Sequence, residues 1–154
     1  MKKILFLHGL ESRPGGSKAK TLERRGYTVL NPHLPKSSWE ESVAIAQEVI
    51  DTQNPDIIVG SSRGGALAMN VDPRGAKLVL IAPAWKRFGG SMAECDGSTV
   101  ILHCATDDQV AYADSEELAG LTGANLIRCG TSHRMDDPES LDAIIDAVAW
   151  CAKR

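Results

Sequence analysis

The chain has 154 residues, 43% hydrophobic and 24% charged, which suits one domain with a buried core. Its 17 Lys and Arg against 20 Asp and Glu give a formal charge of -3, and no stretch interleaves basic with aromatic residues, so no nucleic-acid partner is expected. No run approaches the ~20 apolar residues of a membrane span. The opening MKKILFL stops being apolar at His8 and Gly9, short of the roughly 7–15 residues of a signal-peptide core; it reads as a buried strand, and no membrane association and a cytoplasmic home are expected.

Taken in chain order, the first strand is predicted over Ile4–Leu7, followed by a loop over Glu11–Ser17 that contains Pro14, Gly15 and Gly16. A second strand is predicted over Tyr27–Leu30. Trp39, Val43, Ala46 and Ile50 then recur at helical spacing, and Ser37 with Glu40 forms a candidate capping box. Asp56–Gly60 reads as the third strand and Gly65–Met69 as the start of a helix. Lys77–Ala82 is the fourth strand, and Ala84–Ser98, with Gly89, Gly90 and Gly97, reads as a loop.

Thr99–Cys104 and Asn125–Cys129 complete six strands. The last segment opens with Asp137 as an N-cap and Pro138 at the first helical position, and places Leu141, Ile144, Ile145 and Val148 on one side. Short β-branched runs alternating with helical stretches predict a three-layer α/β/α fold on a mainly parallel six-stranded sheet. Cys95, Cys104, Cys129 and Cys151 are widely spaced with no C-x-x-C pair, so they read as buried small hydrophobes; no metal site is expected.

The sharpest chemical signal is Gly60-Ser61-Ser62-Arg63-Gly64, a G-x-S-x-G between a predicted strand and a predicted helix. A serine on such a turn stands above the sheet, and the helix N-terminus favours negative charge developing beside it. A serine hydroxyl needs a base. His133, after the last strand, lies on the edge where carboxyl ends of parallel strands gather; His8, His33 and His103 read as structural or pocket-wall residues. Asp107 and Asp108 follow the fifth strand and offer the acid that holds a histidine tautomer. Chain order is then serine, acid, histidine.

These segments resemble the α/β-hydrolase superfamily, in particular its small esterase-like members with little or no cap. The resemblance rests on Leu7-His8-Gly9-Leu10, on Gly60–Gly65, on His103-Cys104-Ala105-Thr106-Asp107-Asp108-Gln109-Val110 and on Gly130–His133. It implies strand order 2-1-3-4-5-6, Ser62 as nucleophile, Asp107 rather than Asp108 as acid, His133 as base, and the backbone N–H groups of Leu10 and Arg63 as an oxyanion hole. It implies cleavage of a small carboxylic ester or thioester through an acyl-enzyme, with a small-molecule acyl substrate and no cofactor.

The match begins at the first residues, without the strands that precede the His-Gly loop in larger members. Cys104 stands where glycine is common, and Ala84–Ser98 is too short for a helical cap, so short acyl groups are the expected substrates. Trp85, Met92, Tyr112 and Met135 are candidate pocket walls, and Arg13, Arg63 and Arg87 are candidate contacts for an anionic substrate. Two other readings stay open: a non-catalytic hydrolase-fold binding or receptor protein with a vestigial triad, and a flavodoxin-like nucleotide-binding domain. The second needs a phosphate loop that His8-Gly9-Leu10-Glu11 does not offer.

Overall fold

In the computed structural model, which describes residues 2–10 and 14–154, strand interiors alternate between two packed faces. The strands are β1 (Lys3–Leu7), β2 (Thr28–Leu30), β3 (Ile57–Ser61), β4 (Lys77–Ile81), β5 (Val100–His103) and β6 (Asn125–Arg128). All five pairings are parallel, in the order β2-β1-β3-β4-β5-β6. The helices are α1 (Ser17–Arg24), α2 (Trp39–Gln53), α3 (Arg63–Ala68), α4 (Trp85–Phe88), α5 (Tyr112–Thr122) and α6 (Pro138–Ala152).

The period-2 geometry of a strand decides which residues meet which helices. Ile4, Phe6, Ile57, Val59, Val79 and Ile81 face α1 and α6, where Ala19, Leu22, Ile144, Ala147 and Val148 close one core. Leu5, Leu7, Ile58, Leu78, Leu80 and Ile101 face the other way, onto Ala46 and Ile50 of α2, Leu67 of α3 and Leu118 of α5. Both layers bury the sheet, which is why its central strands read as continuous apolar runs. The four cysteines are free and buried; burial pushes the thiols of Cys95, Cys129 and Cys151 up to about 11.

The helix ends follow local chemistry. Asp137 caps α6, its carboxylate accepting the N–H of Ser140 at 3.2 Å with Pro138 next in the chain. The cap of α2 is Ser38 rather than Ser37: Ser38 has the extended backbone of an N-cap, and its hydroxyl accepts the N–H of Glu41 at 3.1 Å. The capping box expected on Ser37 and Glu40 is therefore one residue out of register.

Two segments depart from expectation. Within Ala84–Ser98 the chain forms the one-turn helix α4, because Trp85 turns its ring into the core and its Nε1–H donates to the Asp114 carbonyl at 3.0 Å. Of the loop expected over Glu11–Ser17, residues Glu11, Ser12 and Arg13 lie outside the described residues, while Ser17 already begins α1. Among the described residues no helix is long and apolar enough to cross a membrane.

Candidate active site

The carboxyl end of β3 runs into α3 through Ser62, whose φ of 56° and ψ of -113° put a non-glycine residue in a strained conformation. Its neighbours are glycines for steric reasons. A Cβ on Gly60 would collide with the Gly64 carbonyl, one on Gly64 with the carbonyl of Leu7, and one on Gly65 would sit 2.9 Å from Pro83 Cα. The turn is thus the crossing point of the ends of β1, β3 and β4. The Ser62 carbonyl is fixed by N–H groups of Gly65 and Ala84, each at 3.0 Å, which leaves the side chain to project into a cleft of about 260 Å³.

In that cleft the Ser62 hydroxyl donates to Nε2 of His133 at 3.0 Å, and Nδ1–H of His133 donates to Oδ2 of Asp107 at 2.7 Å. The His133 side chain is 11% exposed and that of Asp107 is 0% exposed, so the chain of bonds runs from the cleft inward. Asp107 Oδ1 accepts the N–H groups of Gln109 and Val110, both at 2.8 Å. Burial alone would raise the carboxyl pKa; the N–H of Val110, the His133 ring and the N–H of Gln109 outweigh it and hold Asp107 below the usual carboxylate range. Asp108 is exposed to solvent.

A second histidine backs Asp107. His103 Nε2 lies 3.0 Å from the Val110 carbonyl and 3.1 Å from Asp107 Oδ2. A carbonyl only accepts, so Nε2 carries the hydrogen and Nδ1 accepts from the Ser115 hydroxyl at 2.6 Å. Desolvation keeps this fully buried ring below the ordinary histidine pKa despite the carboxylate beside it. Tyr112 packs its ring against His103 at 5.5 Å, edge to face.

On the other side of Ser62 the chain leaving β1 passes close: a Cβ on Gly9 would sit 3.3 Å from Ser62 Cβ. His8 fixes the peptide that follows. Its Nε2 accepts the N–H of Leu34 at 3.1 Å, so Nδ1–H donates to the Gly9 carbonyl at 3.0 Å. Carbonyl and N–H of a trans peptide point oppositely; the Leu10 N–H therefore faces away from His8, and Leu10 lines the cleft with Ser62. Among the described residues no acceptor takes the N–H of Leu10 or of Arg63. Both N–H groups belong to residues that adjoin Ser62, one lining the same cleft and one following it in the chain.

The candidate pocket walls fare differently. None of Trp85, Met92, Tyr112 and Met135 lines the cleft, whose walls include Lys18, Ala84, Phe88, Gln109, Val110 and Arg134. Trp85 and Met92 pack on the α2-side core, Tyr112 lies against His103, and Met135 is fully buried beside α6. Large apolar side chains next to a reactive edge were drawn inward by burial. The guanidinium of Arg63 is also structural. It is 3% exposed, lies 5.4 Å from the Trp39 ring centre and 6.0 Å from that of Phe88, and donates to the Pro35 carbonyl at 3.0 Å and the Ser42 hydroxyl at 3.2 Å. Arg87 does line the cleft; Arg13 lies outside the described residues. Among the described residues no group of three or more His, Cys, Asp and Glu is arranged to hold a metal ion.

No protein-family model matches the chain, and no curated protein does. Solved structures do. Mouse alpha/beta hydrolase domain-containing protein 10 superposes with a TM-score of 0.78 at 16% identity, over 96% of this chain and 88% of that one. An alpha/beta hydrolase enzyme from a sediment metagenome of the lagoon of Mar Chica, Morocco, gives 0.75 at 19% identity, over 99% and 91%. An esterase from Exiguobacterium antarcticum gives 0.77 at 13% identity, over 99% and 92%. The chain has the α/β-hydrolase fold, with the strand order that the family resemblance implies.

Proposed function

We propose that the protein is a serine hydrolase that cleaves a small carboxylic ester, or a thioester, through an acyl-enzyme on Ser62. The observation that carries this reading is the unbroken hydrogen-bond chain Ser62–His133–Asp107, opening onto a cleft from a strained strand-to-helix turn. Ser62 Oγ attacks the carbonyl carbon as its proton passes to His133 Nε2, and the negative oxygen is received by the N–H groups of Leu10 and Arg63. The bond to the leaving oxygen or sulfur then breaks, and His133 returns the proton to it, releasing the alcohol or thiol. Water attacks the acyl-enzyme, giving its proton to His133; collapse frees the acid and restores the Ser62 hydroxyl. Asp107 holds His133 in the Nδ1–H tautomer and stabilises the imidazolium without taking its proton.

A fluorophosphonate probe tests the reading against a scaffold with a vestigial triad. The expected result is labelling within minutes and turnover of a para-nitrophenyl ester, both abolished in Ser62→Ala and both substantially kept in Ser61→Ala. Labelling that survives in Ser62→Ala removes the assignment.

A further inference from the structure

The cleft carries a cationic excess that the chain as a whole does not have. Among the described residues Lys18, Lys86, Arg87 and Arg134 line it, against one carboxylate, Asp114, in a protein of formal charge -3. The Lys86 ammonium is matched locally, by Asp114 at 3.4 Å and Glu117 at 3.0 Å. Arg134 reaches Asp136 at 3.3 Å in an exposed pair that water and salt screen. The guanidinium of Arg87 lies 5.0 Å from the Phe88 ring centre, and among the described residues no carboxylate pairs with it.

Lys18 is the informative member. It is half-buried, and among the described residues no acceptor or carboxylate meets its ammonium. Desolvation pushes it below the ordinary lysine pKa, opposed by Asp136 and reinforced by Arg134. It also sits in the first turn of α1, which has no acidic residue and where the helix macrodipole disfavours a cation. Helix stability does not account for a lysine there. Lys18 and Arg134 line, in addition, an adjoining cavity of about 280 Å³ that shares Gly9 and Ser61 with the cleft. The positive wall therefore continues past the nucleophile, where converging like charges focus a field on an incoming anion.

We propose that the substrate is an anionic ester, with a carboxylate a few atoms from the scissile bond that Lys18 and Arg134, aided by Arg87, receive. The proposal rests on the serine-hydrolase reading above and names its substrate class. The small cleft favours a compact charge over a long anionic chain.

Three esters test it: para-nitrophenyl butyrate, para-nitrophenyl hydrogen glutarate with the carboxylate on the acyl side, and the butyryl ester of a nitrohydroxybenzoate with the carboxylate on the leaving group. Each kcat/KM is divided by the spontaneous hydrolysis rate of the same ester. At low ionic strength one anionic ester should exceed the neutral one by about tenfold, the scale of a single charge-assisted hydrogen bond, and which one does so places the charge. The preference should shrink in Lys18→Met and Arg134→Met, reverse in Lys18→Glu, and fall as salt is added. A neutral ester turned over as well as both anionic ones, or a preference unmoved by all three substitutions, overturns the inference and leaves the hydrolase reading standing. Hydrolysis of none of the three esters overturns both.

Discussion

His103 donates from Nε2 to the Asp107 oxygen, at 3.1 Å, that also receives His133 at 2.7 Å. One carboxylate oxygen thus answers to two histidines, one in the cleft and one wholly buried. The buried ring cannot reach substrate; whatever it contributes to the proposed reaction passes through Asp107.

The first prediction follows from that shared oxygen. Removing the His103 donor leaves more of the carboxylate charge on His133, so the imidazolium becomes easier to form and the acid limb of the kcat–pH profile should move to higher pH. His103→Ala should also lower kcat by about tenfold or more, the worth of one hydrogen bond to a buried charge. His103→Gln, which keeps a side-chain donor, should recover part of both effects. A profile that stays in place while only the melting temperature falls would make His103 structural alone.

The second prediction sets two glycines against each other. A Cβ on Gly64 would strike the carbonyl of Leu7 and come within 2.8 Å of that of His8, backbone that cannot give way. Gly64→Ala should cost at least the ~1–3 kcal/mol of an overpacked core and distort the turn under Ser62. Gly120 lies exposed inside α5 with nothing within 4 Å of its would-be Cβ, so Gly120→Ala should stabilise by about 0.5–1 kcal/mol. Urea unfolding of both variants measures the contrast, and equal midpoints would refute the steric account of the motif.

The six strands and Ser62 were legible from local chemistry, whereas the strand order and the choice of Asp107 over Asp108 as the partner of His133 were legible only through the family resemblance. Short continuous apolar runs mark buried strands, and the Gly60–Gly64 spacing marks a close backbone crossing. The cleft walls were not legible. Lys18 and Phe88 reach the site from α1 and α4, which carry no catalytic motif, and a single sequence does not say which of several exposed cations converge. His103 left a trace, four residues before Asp107, yet an isolated strand histidine gives no sign of what its ring meets. The misplaced Trp85 and Met135 share a cause: nearness to reactive loops in sequence says nothing about which way a large side chain turns, and burial turned these inward.

The third prediction concerns acid stability. Desolvation holds His8 and His103 below the ordinary histidine value of 6.5 in the folded protein. As pH falls through about 6.5, these rings take up protons more readily in the unfolded chain than in the folded one, so unfolding binds protons and stability must drop. Their contribution is fully present above that pH and is lost towards the lower folded values. Asp107, held below 3.8 by its hydrogen bonds, adds a further loss at still lower pH. The urea midpoint should therefore fall between about pH 7.5 and pH 5, with a smaller fall in His103→Gln. A flat midpoint over that range would mean that neither buried ring is held neutral.

The last prediction separates two adjacent aspartates. Asp107 Oδ1 accepts two backbone N–H groups while Oδ2 faces two histidines; Asp108 is exposed. In Asp107→Asn the amide oxygen keeps the backbone N–H groups, which turns the NH₂ toward His133. That NH₂ donates to Nδ1 and selects the tautomer in which Nε2 carries the hydrogen and cannot take one from Ser62. The kcat should fall by roughly the ~10⁴-fold seen when a protease triad acid becomes asparagine. The same NH₂ meets the Nε2–H of His103, so a loss of stability should accompany the loss of rate, and circular dichroism at the assay temperature checks that the variant is folded. Asp108→Asn should cost less than about tenfold, because a solvated carboxylate acts on the imidazolium only through a screened field. If Asp108→Asn is the crippled variant, the acid has been misassigned by one residue; if both retain full kcat, no aspartate of this turn serves His133 and the three-residue hydrogen-bond chain is not the catalytic unit.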